Sequence, residues 1–147
     1  MDTKATVQAL MDAVQMGNFE NAKSYLSNDF IFSGPVPEPI SGDAWLGMSA
    51  NLKSAFPDLD YQFRIESADG DSVNFSAELK GTNKGDIDLS AMNMGVIPAT
   101  GKSFHAAHEQ GKAMLRDGKI TAWTMERTEG AGLMAILAQL GVKVPSM

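Results

Sequence analysis

The sequence predicts an α+β fold in which helices come first and antiparallel strands follow. Up to residue 55, apolar residues recur mainly at helical spacing, whereas from Tyr61 onward they alternate with polar residues. The order of these two patterns also argues against a parallel βαβ fold, because that fold would need strands and helices to alternate along the chain. We therefore expect the helices to pack on one face of a curved antiparallel sheet.

Three helices and one strand are predicted in the first half of the chain. The first helix has its apolar residues on one stripe and ends at Gly17. A short second helix covers residues 19–27, and residues 29–34 form a strand. A proline-rich segment follows as an irregular loop, since proline cannot donate to a sheet ladder. The third helix covers residues 43–55.

The second half is predicted to hold strands and one short helix. Residues 61–66 and 73–80 form a pair around an Asp-Gly turn, and a further strand covers residues 87–94. Two long strands meet at the turn Asp117-Gly118, and a terminal helix covers residues 133–140. Because the sheet is built mostly from neighbours in sequence, antiparallel pairing is expected throughout.

Composition excludes several classes of protein. The 147 residues are the size of one domain, spanning 1–147, and the net charge of −6 without clustered Lys or Arg argues against nucleic-acid binding. No apolar run reaches membrane-spanning length, and residues 1–14 lack the pattern of a leader peptide. The chain has no cysteine, which excludes disulfides and thiolate chemistry and fits a cytoplasmic location.

The last predicted hairpin contains both histidines of the chain and two glutamates near its open end. A two-residue turn at Asp117-Gly118 pairs Arg116 with Lys119, and the same register continued outward pairs Glu109 with Glu126. Side chains alternate between the faces of a sheet, so His105 lies on the face of these two glutamates. The opposite face carries Trp123, Met125 and His108, and could form a contact between two copies of the chain.

Opposed glutamates suggest acid/base chemistry. Directly paired residues have Cβ atoms about 4.5–5.5 Å apart, so two carboxylates in an apolar pocket would share a proton. One could then act as a general base beside a carbonyl group while the other protonates an enolate oxygen, with His105 relaying a proton. This chemistry needs no cofactor. The catalytic candidates are Glu126, Glu109 and His105.

Other interpretations of the same residues stay open. Glutamates near strand ends are usually solvated, and a β-bulge would uncouple their register. His105 is more often a local hydrogen-bonding group than a catalyst, and no pair of histidines at metal-ligand spacing supports a metal site, so we expect none. Four apolar residues are core candidates, and substrate-binding candidates if a cavity opens at the end of the core: Phe32, Trp45, Met48 and Phe56. Met92 and Met94 lie on a strand beside a loop and are predicted to line the mouth of the pocket.

Several passages together resemble the SnoaL-like polyketide cyclase branch of the NTF2-like superfamily. These are "SAFPDLDY" after a helix, "GTNKGDI" followed by "PATGKSF", and "LRDGKITAW" leading to "LAQLGV". The resemblance implies a cone, in which a bent antiparallel sheet wraps about three helices and a pocket opens at the wide end. It also implies that a carboxylate shortly after the tryptophan of the last strand is the general acid/base, which here is Glu126.

Three functional hypotheses follow. The first is a cofactor-independent cyclase or isomerase acting on a small, partly apolar carbonyl compound. The second is a non-catalytic module that binds a small hydrophobic ligand in an apolar pocket. The third is a scaffold that forms a homodimer through the outer sheet face at Trp123, Met125 and His108, which is compatible with either of the others.

Overall fold

The structure is a computed structural model that describes residues 3–34, 38–89, 95–126, 128, 130 and 133–142. Within these residues, helices α1–α4 cover Thr3–Met16, Phe19–Lys23, Gly42–Ala55 and Leu133–Gln139. The strands β1–β10 of the same residues cover Leu26–Ser33, Ile40–Ser41, Arg64–Asp69, Ser72–Ala77, Lys80–Thr82, Ile87–Asp88, Val96–Ile97, Ser103–His105, Glu109–Arg116 and Lys119–Met125.

The main sheet has the strand order β2-β1-β10-β9-β4-β3. Its pairs are antiparallel except β1 with β10, which run parallel, so the expectation of antiparallel pairing throughout is wrong for this pair. Two small antiparallel pairs, β5 with β8 and β6 with β7, form separate ladders. The predicted α+β architecture, with helices packed on a mostly antiparallel sheet, is confirmed.

Most predicted elements are present, but several bounds differ. Strand β1 begins at Leu26 instead of residue 29, β3 covers Arg64–Asp69 instead of residues 61–66, and β4 ends at Ala77 instead of residue 80. The second helix stops at Lys23, because Leu26 already belongs to β1 and pairs with Ile120 of β10. Only Ile87–Asp88 of the predicted strand 87–94 is described as a strand, and residues 90–94 lie outside the described residues. The short strands β7 and β8 have no alternating pattern long enough to reveal them in the sequence.

Aromatic side chains fill the space between the sheet and α3. We call this set the aromatic cluster: Phe30, Phe32, Trp45, Tyr61, Phe63, Phe75 and Trp123. Trp123 lies at its centre, with ring centroids 4.3 Å from Phe75 and 5.6 Å from Trp45. Such offset and tilted contacts are the favoured geometries of aromatic pairs, so the cluster contributes strongly to the core.

The register of the last hairpin differs from the prediction. Arg116 pairs with Lys119 and Leu115 with Ile120 as expected, but the ladder then shifts, and Met114 pairs with Ala122 instead of Thr121. One extra residue in β10 therefore forms a β-bulge. Beyond it every side chain of β10 lies on the face opposite to the predicted one, as a one-residue slip requires.

The shift corrects the prediction for the outer sheet face. Trp123 and Met125 are 2% and 7% exposed and belong to the core, so they do not present an outer surface to a second copy. They lie on the same face as Ala113 and Gly111, with which they pair. This buried face, packed against the helices, is called the inner face below. The opposite face carries Met114, Lys112 and Gln110 and is called the outer face.

None of the described helices is long and apolar enough to span a membrane.

Candidate active site

Glu109 is the first residue of β9 and lies on the inner face. It pairs with Ala77 of β4 and alternates with Gly111, Ala113 and Leu115, all of which are buried. The whole residue is only 6% exposed. Removal of its carboxyl group from water raises the pKa of Glu109 to about 7, because burial penalises the charged form.

The Glu109 carboxyl group has no compensating partner among the described side chains: neither a hydrogen bond nor an ion pair reaches it. Its neighbour on the inner face is Gly111, where a Cβ atom would overlap Phe75 and lie 2.7 Å from the Met125 sulfur atom. The absence of a side chain at Gly111 leaves that space to Phe75 of the aromatic cluster, at the inner-face position next to Glu109. The site combines a buried acid, whose pKa is about 7, with an aromatic side chain at the neighbouring inner-face position.

Glu126 lies on the other side of the sheet. Its backbone N–H donates to the Gln110 carbonyl at 2.8 Å, which continues the shifted register, and its side chain is exposed. The predicted pairing of Glu109 with Glu126 is therefore wrong, and the sheet separates the two carboxyl groups. A proton shared between them is excluded in this structure. Whether Glu126 takes part in catalysis by itself stays a prediction.

The exposed Glu126 side chain borders a wide, shallow groove on the outer face. The groove has a volume of about 600 Å³ and is lined by Glu66, Ser67, Asn74, Gln110, Gly111, Lys112, Thr124 and Glu126. Its lining is largely polar and open to water. It lacks the aromatic surface that would hold an apolar substrate, in contrast to the inner face beside Glu109.

His105 does not join Glu109. Its Nε2 atom lies 2.7 Å from Oε2 of Glu78, and its main chain is held at both ends by the Gln139 side-chain amide. His108 approaches the other oxygen of the same carboxylate, with 3.7 Å between its Nδ1 and Oε1 of Glu78. The sequence placed the two histidines on opposite faces, whereas the structure brings both to Glu78 on a part-exposed edge. A proton relay from His105 to Glu109 has no contact to support it.

The predicted substrate-binding residues separate into three groups. Phe32 and Trp45 belong to the aromatic cluster and stack at 5.7 Å between ring centroids. Phe56 is fully buried against Phe104, while Met48 on α3 is half-buried. Met92 and Met94 lie outside the described residues. Contact of any of these side chains with a ligand stays a prediction.

Sequence reasoning did not single out Tyr61. Its hydroxyl oxygen is buried without a hydrogen-bond partner among the described residues, and burial raises the pKa of Tyr61 to about 12. The nearby Ser49 hydroxyl acts against this rise by lowering the pKa of Tyr61. However, Ser49 donates to the Trp45 carbonyl at 2.9 Å and makes no well-formed hydrogen bond with Tyr61. In the sequence, Tyr61 looked like an ordinary strand residue, so only the three-dimensional structure reveals it.

Among the residues that the structure describes, no group of three His, Asp or Glu side chains is arranged to hold a metal ion.

The fold defines a structural class: a small α+β cone of the NTF2-like type. Wild-type IdmH from Streptomyces antibioticus, named as a candidate polyketide cyclase, is 22% identical, with a TM-score of 0.72 over 97% of this chain and 100% of that one. A candidate SnoaL-like polyketide cyclase from Jannaschia sp. CCS1 is 19% identical, with a TM-score of 0.73 over 96% of this chain and 92% of that one. An LEH-like epoxide hydrolase of M. tuberculosis is 16% identical, with a TM-score of 0.63 over 95% of this chain and 92% of that one.

The family model of the SnoaL-like polyketide cyclases matches residues 4–140, and the chain belongs to that family. No functionally curated protein matches the sequence closely enough to count as a relative. The fold is shared by a polyketide cyclase family and an epoxide hydrolase-like protein, so the reaction has to be argued from this chain's own side chains.

Proposed function

We propose that this protein is a cofactor-independent enzyme that moves a proton next to a carbonyl group, as in cyclisation or double-bond isomerisation, with Glu109 as the general acid/base. One observation supports the proposal above all: Glu109 is a buried carboxyl group on the inner face that no described side chain neutralises. An unpaired buried acid costs folding free energy, so its retention is typical of a functional site. Membership of the cyclase family favours the same chemistry.

The raised pKa of Glu109, about 7, suits both halves of a proton transfer. The ionised form accepts the proton from the carbon beside the carbonyl group, which leaves an enolate, and the protonated form returns a proton to carbon or oxygen. A pKa near the working pH keeps both forms populated and is where general acid/base catalysis is most efficient. The aromatic cluster would hold the apolar body of the substrate. A cytoplasmic location is also part of the proposal.

The first prediction is that Glu109→Gln lowers proton-transfer activity by about 10²- to 10⁴-fold, the usual contribution of a general acid/base. Activity is measured as exchange of hydrogen for deuterium at the carbon beside the carbonyl group in a panel of aryl ketones and β-keto esters, followed by NMR. The assay needs no knowledge of the natural substrate. Glutamine keeps the size and polarity of the side chain but cannot carry the proton.

Glu126→Gln is the matched control, because it makes the same chemical change on the outer face. If Glu109 alone is the acid/base group, this variant exchanges deuterium at the wild-type rate. Equal rates for Glu109→Gln and wild type would end the assignment to Glu109, and loss of activity only in Glu126→Gln would transfer it to Glu126. If the wild type binds these compounds without exchanging hydrogen, the non-catalytic binding module becomes the better description.

A homodimer through the outer face is a second part of the proposal, with contact residues that differ from the predicted ones. Ile31 and Met114 are large apolar side chains that are 45% and 39% exposed, and both pair with Ala122 in one cross-strand row. Beside this row, Lys112 lies in the same groove as Glu66 and Glu126. A two-fold axis would bring the lysine of one copy to the carboxylates of the other, so the occupant we propose is a second copy.

We expect Met114→Glu to convert a dimer into a monomer in sedimentation velocity, because it places a charge at the centre of the apolar row. Met16→Glu makes the same change at a residue of α1 that is 78% exposed, and this control should stay dimeric. A wild-type monomer, or a Met114→Glu variant that remains dimeric, would refute the contact.

A further inference from the structure

The Tyr61 hydroxyl is a polar group that the proposed acid/base chemistry leaves unused. Its oxygen is buried and has no hydrogen-bond partner among the described residues. Buried polar atoms are nearly always paired in native proteins, so an orphaned hydroxyl needs an explanation. An O–H group that is already removed from water is a strong donor to any acceptor that reaches it.

The main chain holds Tyr61 in place unusually firmly. The Gln15 side-chain amide of α1 accepts from the Tyr61 N–H at 2.8 Å and donates to the Leu59 carbonyl at 2.7 Å. The next residue, Gln62, has a left-handed φ of 48°, which costs energy for a residue other than glycine. Neither feature is required to build β3, which begins at Arg64. The Gln15 hydrogen bonds fix the main chain on which the Tyr61 side chain is mounted.

The position of the ring indicates what kind of molecule the hydroxyl would meet. The Tyr61 ring stacks on Phe63 with centroids 4.8 Å apart and planes 11° apart, and Phe63 in turn contacts Trp123 edge-on at 6.1 Å. Phe63 is only half-buried, so this part of the aromatic cluster reaches the surface. The Ser49 hydroxyl of α3 is near and donates to the Trp45 carbonyl, so toward Tyr61 it can only accept, and its contact with the Tyr61 hydroxyl is not a well-formed hydrogen bond. A ligand here would be flat and apolar, with an oxygen acceptor at the end that reaches Tyr61.

We propose that the Tyr61 hydroxyl donates a hydrogen bond to the carbonyl oxygen of a flat aromatic or polyunsaturated ketone bound against the aromatic cluster. The inference rests on the proposed function for the class of ligand, and it names the group that would hold the oxygen while Glu109 acts on the neighbouring carbon. The Tyr61 hydroxyl keeps its proton at neutral pH, because burial raises its pKa to about 12. It can therefore donate to a ketone and, more strongly, to the enolate that forms from it.

The test compares two probes of the same shape, 2-acetylnaphthalene and 2-isopropenylnaphthalene, which differ in a C=O against a C=CH₂ group. Equilibrium dialysis measures the affinity of each for wild type and for Tyr61→Phe. We expect wild type to bind the ketone roughly tenfold more tightly than the alkene, because one good hydrogen bond contributes about that much affinity. Tyr61→Phe should lose this preference. Affinity for the alkene should stay the same, because the ring and its stacking are unchanged.

Tyr25→Phe is the matched control, since Tyr25 is the other tyrosine of the chain and lies outside the aromatic cluster. It should keep the ketone preference. The melting temperature of Tyr61→Phe should equal or exceed that of wild type, because the variant removes an unpaired buried hydroxyl. A hydroxyl paired only with a trapped water molecule would give equal ketone preference in Tyr61→Phe and wild type, which overturns the proposal. A wild-type protein with no ketone preference overturns it as well.

Dialysis separates this inference from the proposed acid/base role. Glu109→Gln should retain the ketone preference while it loses deuterium exchange. Retained exchange in Glu109→Gln would refute the acid/base role and leave the Tyr61 contact standing. Conversely, an unchanged preference in Tyr61→Phe would refute the contact without touching the role of Glu109.

Discussion

Glu109→Gln should stabilise the folded protein by about 1–2 kcal/mol at pH 8, a figure reduced from the full pKa shift because water still reaches part of the carboxyl group, and have little effect at pH 4. The reason is that burial raises the pKa of Glu109 from 4.5 to about 7 in the folded state. Above pH 7, the buried carboxyl group of the folded protein costs free energy in either form. The ionised form is held away from water, and the protonated form must take up a proton at a pH where the unfolded chain has lost it. Glutamine carries no charge at any pH and removes this cost.

The direction of the pH dependence follows from the sign of the pKa shift. The folded state binds the Glu109 proton more tightly than the unfolded state, so protonation favours folding. The contribution of Glu109 to stability is fully present below pH 4.5 and is lost as pH rises through about 7. This window is opposite to that of a carboxylate in an ion pair, whose stabilising contribution is lost in acid.

Urea unfolding of wild type and Glu109→Gln between pH 4 and pH 8 measures the effect. The two free energies of unfolding should agree in acid and separate steadily above pH 5. Glu126→Gln is again the control, since its exposed carboxylate should give a curve parallel to that of wild type. Parallel curves for Glu109→Gln would show that the Glu109 carboxyl group is solvated and would also remove the main support for its acid/base role.

The expected gain in stability and the expected loss of activity have one physical cause. A carboxyl group that is largely removed from water is a stronger base when ionised and a ready acid near neutral pH, but the same burial disfavours its charge. In the proposed role, Glu109 would be an active-site residue that lowers stability, as such residues often do. No described cation offsets the charge, and an arginine or lysine beside it would lower the pKa and weaken the base.

The helical half of the fold was largely predictable. Helix α1 ends at Met16, immediately before the predicted stop at Gly17, and α3 covers Gly42–Ala55 against a prediction of 43–55. Both helices bury one continuous stripe, which a period of about 3.6 reveals directly. The turn of the last hairpin was equally clear, because Asp117 and Gly118 take the left-handed φ values of 53° and 77° that two-residue hairpins require.

The site was harder to predict because it depends on one bulged residue. No glycine or proline marks the bulge between Ile120 and Ala122, and the threonine there is an ordinary strand residue. The side-chain volumes contain the only signal: beyond Ile120, an unbulged strand would bury Ala122, Thr124 and Glu126, whereas the observed one buries Trp123 and Met125. Apolar burial strongly favours the second set. That preference moves Glu126 to the outer face and leaves Glu109 alone on the inner one.

Trp123→Ala should destabilise the protein by about 4 kcal/mol, the usual cost of removing a large aromatic side chain from a core. Trp123 is 2% exposed and contacts Trp45, Phe63 and Phe75, so no neighbour can close the cavity without breaking its own ring contacts. The control is Thr124→Ala in the next position of β10, where the side chain is exposed and the change should stay within about 0.5 kcal/mol.

The ratio of these two effects is a direct measurement of the register. In the unbulged hairpin, Thr124 would face the helices and Trp123 would face solvent, so the larger loss of stability would fall on Thr124→Ala. Urea unfolding of both variants distinguishes the two arrangements without a crystal. A small effect of Trp123→Ala would return Trp123 to the outer face and would place Glu126 beside Glu109 again, with the shared proton restored as the working hypothesis.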